Sequence, residues 1–152
     1  DELEFVRAYL ELQKYRFDKK FNYDIEMDEA LGKHRIPRLS IVTFVENACV
    51  HGIENKCGNS WLFVRVYEKE GNCLIEIEDT GVGMKEDECQ RQLQRMREAG
   101  WEDLKAEKQV GMLNASIRLR LLTDNRVRFA LHSEEQVGTT VEIAIPMDSL
   151  RS

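Results

Sequence analysis

Proline and glycine are scarce, with 2 and 9 in 152 residues. Alongside 42% hydrophobic and 33% charged residues, that scarcity excludes collagen-like, low-complexity and disordered chains. No apolar run exceeds a few residues, far short of the roughly 18 that span a bilayer. Neither a signal peptide nor an amphipathic targeting segment is visible, so any membrane connection is expected outside these residues. Cationic excess is missing too: 22 Lys and Arg against 28 Asp and Glu leave a net charge of −6, which argues against a nucleic-acid binder. Cys49, Cys57, Cys73 and Cys89 show no CxxC spacing and no zinc-like Cys/His cluster. They read as reduced cytosolic thiols rather than a disulfide framework.

What is present suits one domain, burying roughly 70% of the surface its unfolded chain exposes. Leu3, Val6, Leu10 and Phe17 recur at helical spacing, and Phe21, Tyr23, Ile25 and Met27 alternate as a strand with one apolar face. Pro37 suits the opening of a second helix, expected to run to about His51 and to close at Gly52. Strands are expected over Trp61–Glu68 and Cys73–Glu78, joined through Glu70-Gly71-Asn72. Cys89, Leu93 and Met96 give a thin helical stripe within a polar stretch, and Leu113, Ile117 and Leu121 share a face of a later helix that Gly111 precedes. Two alternating strands finish the chain, Val127/Phe129/Leu131 and Val141/Ile143/Ile145. No repeat or Pro/Ser-rich linker divides it. The pattern predicts a two-layer α/β (α+β) sandwich, its mixed, mostly antiparallel sheet carrying helices on one face.

Three segments could carry chemistry. In Phe44–Gly52 (FVENACVHG), Asn47 and His51 lie one helical turn apart beside Glu46, with Ile41, Val45, Ala48 and Cys49 on the core side. A carboxylate, an amide and an imidazole suit Mg²⁺ and phosphate, although a solvated polar stripe has the same look. Next, the strand ending at Glu78 runs into Asp79-Thr80-Gly81-Val82-Gly83-Met84. Alternation puts Asp79 on the face of Ile75 and Ile77, where a carboxylate needs partners. It can accept from a ligand's amino group or cap its own turn. Finally, Val110-Gly111-Met112-Leu113-Asn114 opens a helix whose first amides could receive an anion.

Taken in order, E-N-x-x-x-H-G, D-x-G-x-G, a polar stretch, G-x-L-N-x-x-x-R-L and G-T-T-V resemble one family. The pattern is similar to the ATP-binding catalytic domain of sensor histidine kinases, in the GHKL superfamily that includes gyrase, MutL and heat-shock chaperone ATPases. Glu2-Leu3, Tyr9-Leu10, Arg16-Phe17, Ile36-Pro37, Val45-Glu46-Asn47-Ala48, His51-Gly52 and Arg118-Leu119 bring it nearest to the LytS/YesM-like bacterial kinases.

That resemblance implies a Bergerat-type ATP-binding fold over residues 21–152, an ATP lid at about 84–110, and a dimerisation or linker helix end over 1–20. It implies ATP and Mg²⁺ as cofactors, with Glu46 and Asn47 catalytic and Asn47 holding the metal. Asn47, His51, Asp79, Gly81, Gly83, Met84, Gly111, Leu113, Asn114, Thr139 and Thr140 would form the ATP site, Asp79 accepting from the adenine amino group. The acceptor would be a His on an upstream dimerisation domain, since His34, His51 and His132 sit in no such context. Implied partners are a response regulator and, in the full-length kinase, a second copy. The implied location is the cytoplasmic side of a membrane-anchored bacterial protein. Two positions depart from the family pattern: Val50 stands where many relatives have Lys, and Gln109 where the first Gly of the G2 box is usual. Lys85, Lys105, Lys108 and Arg118 are candidate replacement cations. Two other readings remain, a nucleotide-insensitive interaction module and an ATPase that transfers to water.

Overall fold

The computed structural model describes residues 2–17, 20–31, 40–53, 56, 58–102 and 110–150. Its elements are α1 (Glu2–Arg16), β1 (Phe21–Met27), α2 (Ser40–Ala48), β2 (Ser60–Lys69), β3 (Asn72–Asp79), α3 (Glu86–Glu98), α4 (Val110–Leu122), β4 (Arg128–Glu134) and β5 (Gly138–Pro146). Short 3₁₀ turns at Glu29–Leu31 and Met147–Ser149 complete them. Pro37, His34, Cys57, Lys105, Lys108 and Gln109 lie outside the described residues.

The five strands form one sheet in the order β1-β2-β3-β5-β4, with β1 parallel to β2 and the other pairs antiparallel. Register fixes one face for the core. Val64 faces Ile77, Val66 faces Ile75, Ile75 faces Ile143, and Phe129 faces Ile143; all are buried. The opposite face carries Trp61 stacked on Phe63, with rings 5.5 Å apart, and Arg65 paired with Glu76 and Glu78. Helices cover only the apolar face, because a sheet with one solvated side needs one covering layer. The expected two-layer architecture is the one observed.

α1 contributes Leu3, Val6 and Leu10 to the same core cluster as the strands and packs on α2, where the Glu2 carboxylate accepts from the Val42 amide at 3.1 Å. In α2, Ile41, Val42, Phe44, Val45 and Ala48 are buried, so packing holds a helix rich in β-branched residues whose intrinsic propensity is modest. Gly52 does not end this helix as expected. The chain instead enters a π-helical turn over Cys49–Ile53 that carries Gly52, buried, beneath the end of β3. π turns inside helices recur at functional sites.

One further expectation fails in α4. Leu113 and Ile117 are buried, but Leu121 is 67% exposed. Met112, Ala115, Ser116 and Leu119 fill the inner face instead. The last turn of α4 leaves Leu121 and Leu122 exposed, and buried Thr123 then ties the chain toward β4, its hydroxyl accepting from the Val127 amide at 2.9 Å.

Candidate functional site

The end of β3, the end of α2 and the turn before α3 converge on one cavity of about 580 Å³. That volume falls in the range of small-molecule sites. Among the expected site residues, Asn47, His51, Asp79, Gly83, Met84 and Thr139 line it.

Asp79 sits at its floor, 5% exposed, directly opposite Leu62 on one neighbouring strand and Thr139 on the other. Its Oδ1 accepts from the Gly81 amide at 2.8 Å, and the Thr139 amide also donates to the carboxylate. Asp79 therefore caps its own turn while facing the cavity. Burial raises its pKa from 3.8 to about 6. The two amides and the Lys56 ammonium oppose that rise, and Glu78 adds to it. A buried carboxylate with few partners and an open cavity before it suits a ligand's amino group.

Close backbone contacts build this corner. A Cβ on Gly81 would lie 2.4 Å from the Gly52 carbonyl carbon, so these two glycines touch backbone to backbone, and the Val82 amide donates to Gly52 O at 3.2 Å. Gly83 has φ +69°, and a Cβ there would fall 2.0 Å from Glu134 O. Only glycine tolerates both the conformation and the approach. Met84 is held by its amide, which donates to the Ser133 hydroxyl at 2.8 Å.

The remaining expected residues stand apart from the cavity. Gly81 is packing material, pressed on Gly52. Leu113 belongs to the core, 1% exposed. Thr140 pairs with Glu78 on the outer sheet face, because it alternates with Thr139 along β5. Gly111 is exposed in the first turn of α4, and Asn114 lies half-buried one turn on. Glu46 is exposed beside Asn47. Of the candidate cations within the described residues, Lys85 and Arg118 are exposed, and neither lines the cavity.

α3 supplies what the sequence pattern missed. Cys89 and Met96 anchor it, and it packs along β4, with the Cys89 thiol against Leu131 O at 3.5 Å and Arg97 donating to Phe129 O at 2.9 Å. Docked this way, it turns Glu88, Arg91, Gln92 and Arg95 toward the cavity. Arg91 also pairs with Asp87 at 3.7 Å. Cys49, Cys73 and Cys89 are free and buried, and burial raises all three thiols, Cys49 to about 12. None serves as a nucleophile at neutral pH.

No group of three or more His, Cys, Asp or Glu gathers among the described residues to hold a metal ion. A cation at Asn47 would therefore have few protein ligands. That fits Mg²⁺, which keeps water and substrate phosphates in its shell, better than a caged metal.

The sequence profile of the histidine kinase-, DNA gyrase B- and HSP90-like ATPases matches residues 36–149. The chain belongs to that family. Among curated relatives, it is 30% identical over 147 residues to the sensor protein LytS of Bacillus anthracis, which covers 95% of this chain and 24% of that protein. It is 28% identical over 149 residues to LytS of Enterococcus faecalis, covering 97% of this chain and 24% of that one. To the sensor histidine kinase YesM of Bacillus subtilis it is 25% identical over 146 residues, 96% of this chain and 23% of the relative. The chain thus spans about a quarter of these relatives' length. The same fold occurs in the histidine kinase domain of a blue-light-activated kinase from Erythrobacter litoralis, with TM-score 0.63, 16% identity and coverage of 95% of this chain and 60% of that one. It occurs also in the nucleotide-free catalytic domain of histidine kinase ThkA, with TM-score 0.62, 14% identity and coverage of 94% and 88%. Among the described residues, no helix is long and apolar enough to cross a membrane.

Proposed function

We propose that this chain is the ATP-binding catalytic portion of a sensor histidine kinase, taking Mg-ATP into the cavity and donating the γ-phosphoryl group to a histidine outside these residues. The observation that carries the reading is Asp79: a carboxylate 5% exposed, held by two backbone amides, facing a cavity that also reaches Asn47.

In this reading Asp79 accepts from the adenine 6-amino group, and Gly83, Met84 and Thr139 border the base. The polyphosphate runs toward Asn47 and His51, with Arg91 and Arg95 of α3 supplying the positive charge that Val50 cannot. Mg²⁺, held through the Asn47 carbonyl oxygen, phosphate oxygens and water, would neutralise charge on the phosphates. In the same reading Glu46, exposed beside Asn47, accepts the proton of the acceptor imidazole as its nitrogen bonds phosphorus and the bond to ADP breaks. The protein positions and neutralises without a covalent intermediate of its own.

α1 supports the wider assignment. Phe5, Ala8, Leu12 and Tyr15 follow three- and four-residue steps on the side away from α2, and all are exposed. Such a seam suits a helical bundle with an upstream dimerisation domain and a second copy of the full-length kinase. The onward partner is then a response regulator, and the assembly a membrane-anchored bacterial sensor with this domain in the cytoplasm.

Calorimetric titration with Mg-ATP tests the reading. Saturable heat that Asp79→Asn abolishes is expected, and wild type without heat would overturn it. The chain alone is expected not to autophosphorylate, whereas a separately supplied acceptor domain becomes labelled. An acid-labile phosphohistidine on this chain alone would contradict the acceptor assignment.

A further inference from the structure

Lys56 lies outside the cavity, yet its ammonium bridges the two turns that frame it. Nζ donates to Gly81 O at 3.3 Å, in the turn after β3, and to Gln136 O at 2.6 Å, in the turn between β4 and β5. The Gln136 amide in turn donates to Val82 O at 2.6 Å. The Lys56 amide donates to Ile53 O at 3.0 Å, so the residue also closes the π turn that carries Gly52. Three segments distant in sequence therefore meet at one ammonium. None of these bonds belongs to the regular ladders of the sheet, whose last pairs, Asp79 with Thr139 and Glu134 with Gly138, stop at the edges of the two turns.

We propose that Lys56 is a positioning residue for the nucleotide site, its ammonium stapling the Gly81 and Gln136 turns so that the Asp79 carboxylate and the Gly83 backbone keep the geometry that receives the purine. The proposal rests on the reading of the cavity as an adenine-nucleotide site. A cation this near also favours the ionised form of Asp79, the form that accepts a hydrogen bond. The other groups around that carboxylate do not supply this charge. Glu78, on the same strand, and the burial itself oppose ionisation, and the Cys49 thiol on the π turn stays neutral. Neutral Gly81 and Thr139 amides supply the remaining favourable contacts. The charged or titratable side chains His51, Arg91 and Arg95 line the same cavity from the π turn and α3.

The test uses Lys56→Met, which keeps the stem without the charge, and Lys56→Arg, which restores the charge. Asp79 is titrated by its side-chain carbon resonance in the nucleotide-free protein, and ADP affinity is measured against pH. In Lys56→Met the Asp79 midpoint is expected to rise by about half to one pH unit, and ADP affinity at pH 7 to fall about three- to tenfold. The pH at which affinity is lost should rise with the midpoint, and Lys56→Arg should recover most of both changes. An unmoved midpoint and unchanged pH profile in Lys56→Met, with wild type binding ADP normally, would overturn the staple and leave the site reading intact. Wild type that fails to bind ADP would overturn both. Should Lys56→Met fail to fold, Lys56→Gln decides by the same two readouts.

Discussion

Gly52 and Asp79 are packed so closely that a methyl group on Gly52 would stand 2.8 Å from Asp79 Oδ1. The helix offering Asn47 and the strand offering Asp79 thereby meet where the Asp79 carboxylate rests against the Gly52 backbone. Gly52→Ala must push the carboxylate aside. It is expected to destabilise the fold by about 1–3 kcal/mol, as overpacking does, and to lower adenine-nucleotide affinity at the same time. Urea unfolding and calorimetry on one preparation check both effects.

Asp79→Asn separates stability from function. Removing a buried charge relieves the desolvation that raises this group's pKa to about 6. The nucleotide-free variant is therefore expected to gain on the order of 2 kcal/mol at neutral pH while losing adenine recognition. Denaturant midpoints at pH 7.5 measure the gain.

The pH dependence has opposite signs for stability and binding. With the folded pKa of Asp79 near 6 and its ordinary value 3.8, its favourable share of stability is fully present below about 3.8 and is lost as pH rises through about 6. With Asp79 as the proposed adenine acceptor, nucleotide affinity is expected to require the ionised carboxylate and to fall as pH drops through about 6. Comparing unfolding curves of wild type and Asp79→Asn between pH 4 and 8 isolates the stability share, and ADP titrations over the same range follow the affinity.

Arg91 and Arg95 should distinguish ligands by phosphate. The Arg91→Ala/Arg95→Ala pair is expected to weaken ATP about tenfold, the effect of losing one charge-assisted contact, while adenosine is nearly unaffected. Equal losses for the two ligands would remove these residues from the phosphate end.

Much of the frame was legible in the sequence, for reasons visible at single positions. Cys73, Ile75, Ile77 and Asp79 share a face because a strand alternates with period two whatever packs on it, so the buried side of Asp79 could be read directly. The same rule separates Thr139, at the cavity, from Thr140, on the outer face. Arg91 and Arg95 were not legible. The stripe of Cys89, Leu93 and Met96 shows that α3 docks, but which flanking residues overhang a cavity depends on where along β4 it settles. Gly52 gave a misleading signal, since a glycine after a helix usually marks its end, and here it allows a close backbone crossing inside a π turn. Lys56 gave none, because its partners are carbonyls brought together only by the finished fold.

The most direct test of the central claim follows the backbone amide resonances of Gly81 and Thr139, the two donors to the Asp79 carboxylate, during titration with ADP and Mg²⁺. Both are predicted to move in a saturable manner with one shared affinity, and to stay still in Asp79→Asn. Saturable changes confined to other regions, or no changes in the wild type, would contradict the account.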